Sequence, residues 1–171
     1  MSARGKLEVV QFLVARDAVV DARIVDGATP LMMASYRGHA PVVRALLAAG
    51  ADVNVRKIDG FTALHMAGQD GHIEILRELL KREPHVDAQD NDGDTPLMVA
   101  CLWGHSMAAV LLFASGADIH LRSNAGLSAR DAAEDRVRRD ALPPAAGIAA
   151  PTAAQKAEHK KLVRVMKAFE S

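Results

Sequence analysis

A chain of 171 residues that is half apolar by count and one quarter charged can bury one sizeable core or one extended array, and it is not a disordered polymer. Its 21 basic and 21 acidic side chains balance, so the positive excess typical of nonspecific nucleic-acid binding is missing. The longest apolar stretches, Pro96 to Trp103 and Met107 to Ala114, fall far short of the roughly 18 to 20 residues that span a bilayer, and the single cysteine, Cys101, can form no internal disulfide.

In chain order, Met1 to Lys6 leads without an apolar signal core into Lys6 to Ala15, where Val9, Val10, Leu13 and Val14 recur at helical spacing. This start, with one cysteine, points to an intracellular, cytoplasmic protein. Two glycine ladders follow. Gly5, Gly38, Gly71 and Gly104 lie 33 residues apart, and Gly27, Gly60, Gly93 and Gly126 keep the same interval. A fixed period of this length marks stacked units rather than one globular core. Units open on Asp26-Gly27-Ala28-Thr29-Pro30-Leu31, Asp59-Gly60-Phe61-Thr62-Ala63-Leu64 and Asp92-Gly93-Asp94-Thr95-Pro96-Leu97, then the looser Ala125-Gly126-Leu127-Ser128-Ala129. Asp-Gly permits a tight turn, Thr or Ser caps a helix, and Pro at the first helical position loses no useful N–H. A short helix is therefore predicted to begin near residues 30, 63, 96 and 129 and to stop at the next glycine. After it come His39, His72 and His105, then a second helix carrying Val42, Val43, Leu46 and Leu47, mirrored by Ile75, Leu76, Leu79 and Leu80. Gly50 and Gly116 end that helix in a left-handed turn and lead into an extended finger.

A unit reading Asp-Gly-x-Thr-Pro-Leu, Gly-His and Gly-Ala-Asp resembles the ankyrin repeat, in register over roughly residues 5 to 137. The resemblance implies an all-α solenoid of stacked helix-turn-helix units joined by β-hairpin fingers, curved so that hairpin tips and first helices line a concave face. One domain over residues 1–171 is expected: an N-terminal half unit (1–23), full units 24–56, 57–89 and 90–122, and a C-terminal end unit (123–171) with an insertion at 140–151. The resemblance also suggests hydroxylation at Asn54, the asparagine of Ala51-Asp52-Val53-Asn54.

Departures from the repeat are informative. The first unit lacks its first helix, which fits either a half-unit cap or a piece of a longer protein. Asp17 and Glu83 replace the exit glycines, so those two fingers should be looser. The next Gly-His histidine is due at 138 but its best match is His159, an insertion of 21 residues. Pro143, Pro144 and Pro151 make 140–151 a loop, and Thr152 to Phe169 a lengthened closing helix, apolar at Leu162, Val165, Met166 and Phe169. Met107, Val110, Leu111, Leu112 and Phe113 make one second helix apolar nearly all round, which calls for burial on two sides. Leu142 to Ala150, folded back as a lid, is the nearest cover, and a second protein the alternative.

No catalytic, metal or cofactor site is expected. His39, His72 and His105 recur one unit apart, too far to share an ion held at about 2 Å, and suit bonding to backbone, as does His65. Asp87 to Asp94 lacks the first and twelfth carboxylates of a calcium loop, where Ala88 and Val99 stand. Cys101 falls at a small, buried place without a base beside it.

What varies at outward places carries recognition. By the family's contact positions these are Val25, Asp26, Ala28, Tyr36 and Arg37, then Ile58, Asp59, Phe61, Gln69 and Asp70. The third unit supplies Asn91, Asp92, Asp94, Leu102 and Trp103, and the last Asn124 and Leu127. The only Tyr and only Trp fall among them. Residues 1–121 carry 11 basic and 15 acidic side chains, and 122–171 carry 10 and 6. The acidic run Asp87, Asp90, Asp92 and Asp94 beside aromatic anchors suits a partner segment bearing Lys or Arg. The expected function is a noncatalytic, monomeric module that binds a protein, with neither nucleic acid nor membrane as partner. The alternative is a structural or regulatory segment of a longer multidomain chain.

Overall fold

The computed structural model describes residues 7–8, 11–12, 15–16, 19–141 and 151–169, and these residues form helices and turns with no strand among them. Past the N-terminal stretch the order is α1 (Pro30–Tyr36), α2 (Ala40–Ala48), α3 (Ala63–Gln69), α4 (Ile73–Leu80), α5 (Pro96–Trp103), α6 (Ser106–Ala114), α7 (Ala129–Ala141) and α8 (Ala153–Phe169). Odd-numbered helices pack successively on one another, α1 on α3, α3 on α5 and α5 on α7, and the even-numbered ones form a second row in the same way. The core lies between the rows, where Leu31, Leu64, Leu97, Ile75, Leu76, Leu79, Leu112, Leu162 and Met166 are fully buried.

The odd-numbered helices solve the same start with different side chains. Thr29 and Thr95 accept hydrogen bonds from Met32 N and Met98 N at 3.4 and 3.3 Å, each followed by a proline. Before α3, which lacks that proline, Thr62 and His65 cap each other reciprocally. Before α7, Ser128 N donates to Asp131 Oδ2 at 2.9 Å and Asp131 N to Ser128 Oγ at 3.3 Å.

The Gly-His pair joins one unit to the next. The His72 ring lies against Gly38 and donates through Nε2 to Tyr36 O at 3.1 Å, and His105 lies against Gly71 and bonds the Gln69 backbone. These glycines have φ of +72° and +67°, and a Cβ on either would overlap the ring that covers it. His159 lies against Gly104 in the same manner, so the histidine displaced by 21 residues occupies the place the period assigns it.

At the helix exits Gly50 and Gly116 are left-handed, and Ala51 N and Ala117 N return hydrogen bonds to Leu46 O and Leu112 O at 3.0 and 3.1 Å. Glu83 adopts the left-handed turn itself, at φ 50°, and the next residue, Pro84, has no N–H with which to make the returning bond. The non-glycine exit therefore keeps the turn and loses one hydrogen bond. Asp17, Val9, Val10, Leu13 and Val14 lie outside the described residues.

Two expectations for the C-terminal half need correction. Helix α7 continues through Asp140 and Ala141, the first two residues of the loop expected at 140–151. No glycine stands where α1 and α3 meet theirs, and pairs such as Arg130–Glu134 and Arg139–Asp135 support the longer helix. Met107 on α6 is 60% exposed, so burial of that helix on two sides is not met among the described residues. The lid expected at Leu142 to Ala150 lies outside them. Helix α8 closes the array: Leu162 and Met166 are buried, and Thr152 and Gln155 cap its start.

Candidate functional site

Each loop that joins one unit to the next, a finger built of turns without strands among the described residues, is closed by its own bonds. Ile24, Lys57, Asp90 and Ser123 donate backbone N–H to the carbonyls of Ala28, Phe61, Asp94 and Leu127 at 2.9–3.1 Å. A second set ties finger to finger: Ile58 N to Asp26 O, Asn91 N to Asp59 O and Asn124 N to Asp92 O, at 2.8–2.9 Å. The Asn91 and Asn124 side-chain amides add bonds to Ile58 O and Asn91 O at 2.9 Å. At the other end of the unit, Asp52 N donates to Asp21, His85 N to Asn54 and Asp118 N to Asp87. The recurring polar groups thus hold neighbouring units in register.

Two grooves open where first-row helices meet the fingers. The first, of about 370 Å³, is lined by Asp26, Ala28, Met33, Tyr36, Lys57, Asp59, Phe61, Met66 and Gln69. The second, of about 530 Å³, is lined by Asp92, Asp94, Met98, Leu102, Ser123, Asn124, Ala125, Leu127, Ser128, Ala132 and Asp135. They are the same place in the array, two units apart: Asp26, Tyr36, Phe61 and Gln69 correspond to Asp92, Leu102, Leu127 and Asp135, each 66 residues on.

Their chemistry differs. In the first, Lys57 pairs with Asp59 and lies 5.5 Å from the centre of the Phe61 ring, which stacks on His65 at 5.0 Å. Burial works against ionisation of Asp59, but the Lys57 and Phe61 N hydrogen bonds and the Lys57 charge outweigh it and hold the carboxyl below its ordinary range. In the second, burial first, then the charges of Asp90 and Asp92, push the Asp94 carboxyl up. Among the described residues no basic side chain pairs with Asp92 or Asp94, while Asp135 is paired with Arg139 at 2.9 Å.

The grooves gather Tyr36, Phe61 and Gln69 in one, and Asp92, Asp94, Leu102, Asn124 and Leu127 in the other. Val25 and Ile58 stand out at the finger tips, 99% and 72% exposed, and Trp103 is 48% exposed at the end of α5. Arg37, Asp70 and Asn91 are exposed and line neither groove. Met33 and Met66 line the first groove and were missed, although each lies one helical turn before Tyr36 and Gln69. Lys57 and Asp135 were also missed, because only their neighbours show what they face.

Two other polar groups are structural. Thr62 N donates to His65 Nδ1 at 3.1 Å, so Nδ1 is the acceptor and Nε2–H is left to donate to Asp94 O at 3.1 Å. Burial lowers the His65 pKa. Cys101 is fully buried, which pushes its thiol up to about 12 and leaves no thiolate to react. Among the described residues no group of three or more His, Cys, Asp or Glu side chains is placed to hold a metal ion, and no helix is long and apolar enough to cross a membrane.

Family models described as ankyrin repeats match residues 13–67 (many copies) and 49–123 (3 copies), together most of the chain. The protein belongs to the ankyrin-repeat family, whose repeats generally mediate protein–protein interaction and are typically noncatalytic. No curated protein matches the chain.

Proposed function

We propose that this chain is a noncatalytic, monomeric binding module, a curved solenoid with β-hairpin fingers, one domain over residues 1–171, that recognises a cytoplasmic partner protein on its concave face. The observation that carries the reading is the division of labour between residues. Most residues that recur are buried or spent on bonds between units, whereas those that differ, Tyr36 against Leu102, Phe61 against Leu127 and Gln69 against Asp135, line two open grooves on the first-row side beside the recurring Asp26, Asp59 and Asp92. A docking face needs this combination of a fixed frame and variable lining. Tyr36 and Trp103 bring large, rigid contact area at small entropy cost, and Asp92 and Asp94, without a basic partner among the described residues, favour a partner segment with a basic residue.

Tyr36 and Trp103 are partly exposed and their side chains donate no hydrogen bond among the described residues, so replacing both with Ala should leave the helical circular dichroism and melting cooperativity intact. Capture of the partner from a lysate of the source cell should weaken by about 2 kcal/mol or more in affinity. Equal capture by the double variant and the wild type would remove the face assigned here.

A further inference from the structure

The two grooves are unlike in charge and alike in position, and that pairing carries information about the length of a ligand. The first is walled by Tyr36, Phe61, Met33 and Met66, and its Asp59 is already neutralised by Lys57. Thioether and aromatic walls of this kind accept a large apolar or aromatic side chain. The second has Met98, Leu102 and Leu127 as an apolar floor, with Asp92 and Asp94, which pair with no basic side chain among the described residues, and Asp135, which is held by Arg139. A Lys or Arg fits there, its methylene stem on the floor and its head at the carboxylates.

Resting on the function proposed above, we propose that the ligand is an extended segment of a partner protein that uses both grooves at once. It places an apolar or aromatic anchor in the first and a basic anchor in the second. Stacked helices lie roughly 8–10 Å apart, so a two-unit offset is about 16–20 Å. An extended chain advances about 3.3 Å per residue, which sets the anchors about five or six residues apart. A helical ligand would need about eleven to thirteen residues for the same span. The fingers keep this spacing fixed, since Ile58, Asn91 and Asn124 each bond back to the preceding finger. A second copy of the chain is not the favoured occupant, because helices and closed fingers offer no such extended segment among the described residues.

The test is selection of a random 14-residue peptide library displayed on phage against the whole chain. The selected peptides are then assayed by fluorescence anisotropy on wild type, Tyr36→Ala/Phe61→Ala and Asp92→Asn/Asp94→Asn. Among the described residues the Asp92 and Asp94 side chains make no hydrogen bond, and the bonds of that turn run through Asp90 and the backbone, so the Asn pair should keep the fold. Expected is a consensus of one apolar or aromatic and one basic position five or six apart, with each double variant weakening binding about tenfold or more. The Asn pair alone should flatten the salt dependence. A consensus with one anchor, or with a helical spacing, would overturn the two-groove ligand while leaving the binding face in place. Peptides that bind both variants as tightly as wild type, or no selected peptide at all, would overturn the face as well.

Discussion

His65 accepts from Thr62 N on one ring nitrogen and donates to Asp94 O from the other, an arrangement that requires the neutral imidazole. Its pKa is lowered by burial from the ordinary 6.5, and that of His105 is lowered for the same first reason. The unfolded chain therefore takes up protons before the folded one as pH falls. The contribution is intact above the unfolded value and is lost as pH falls from about 6.5 toward the lowered folded values. Urea midpoints should drop between about pH 7 and pH 5. His65→Gln, which keeps an acceptor and a donor, should reduce that slope, and an unchanged slope would contradict the role given to His65. At Glu83, a left-handed side-chain residue costs roughly 1–2 kcal/mol, so Glu83→Gly should raise stability by about 1 kcal/mol in urea denaturation. Cys101, with its thiol held up at about 12, should react with a thiol reagent only at the rate of opening.

At the scale of elements, the end helix α8 is joined to the array by buried side chains and by polar contacts, among them the ion pair of Lys167 with Glu134 at 3.5 Å. His159 Nδ1 and Asp140 Oδ2 pair in the interior, Arg136 Nε stands 3.4 Å from the other Asp140 oxygen, and Ser106 Oγ donates to Glu158 O at 3.3 Å. Removing one member of the buried His159–Asp140 contact strands the polar group of the other, at about 1–3 kcal/mol. Asp140→Ala or His159→Ala should each expose α8 to trypsin at Lys160 and Lys161, and the double variant should cost less than the sum of the two. Most helix starts were legible from Thr-Pro-Leu and its variants, because capping and proline geometry act within four residues. The end of α7 was not, because nothing local stops it: its length is set by ion pairs along its own face and by packing against α8. The place of His159 was legible only through the period, since the pocket over Gly104 belongs to the neighbouring unit.

Over the whole molecule, repetition divides the residues by task. Interunit bonds recur every 33 residues and span 31 or 33 residues, from Asp21, Asn54 and Asp87 at one end of the unit and from Asn91 and Asn124 at the other. Of the face residues the sequence singled out, it could not show that Asn91 and Asn124 spend their amides on neighbouring fingers, nor that Tyr36 and Phe61 share a groove with two methionines. Those facts depend on which unit faces which. If the reading proposed above holds, variable residues on the first-row side meet the partner while the second row does not. Nuclear magnetic resonance of isotope-labelled protein, titrated with a selected peptide, tests it most directly. Shift changes are expected to gather at Tyr36, Phe61, Gln69, Asp94, Leu102 and Leu127. Changes centred instead on Arg44, Glu74 and Arg77 of the second row would contradict it.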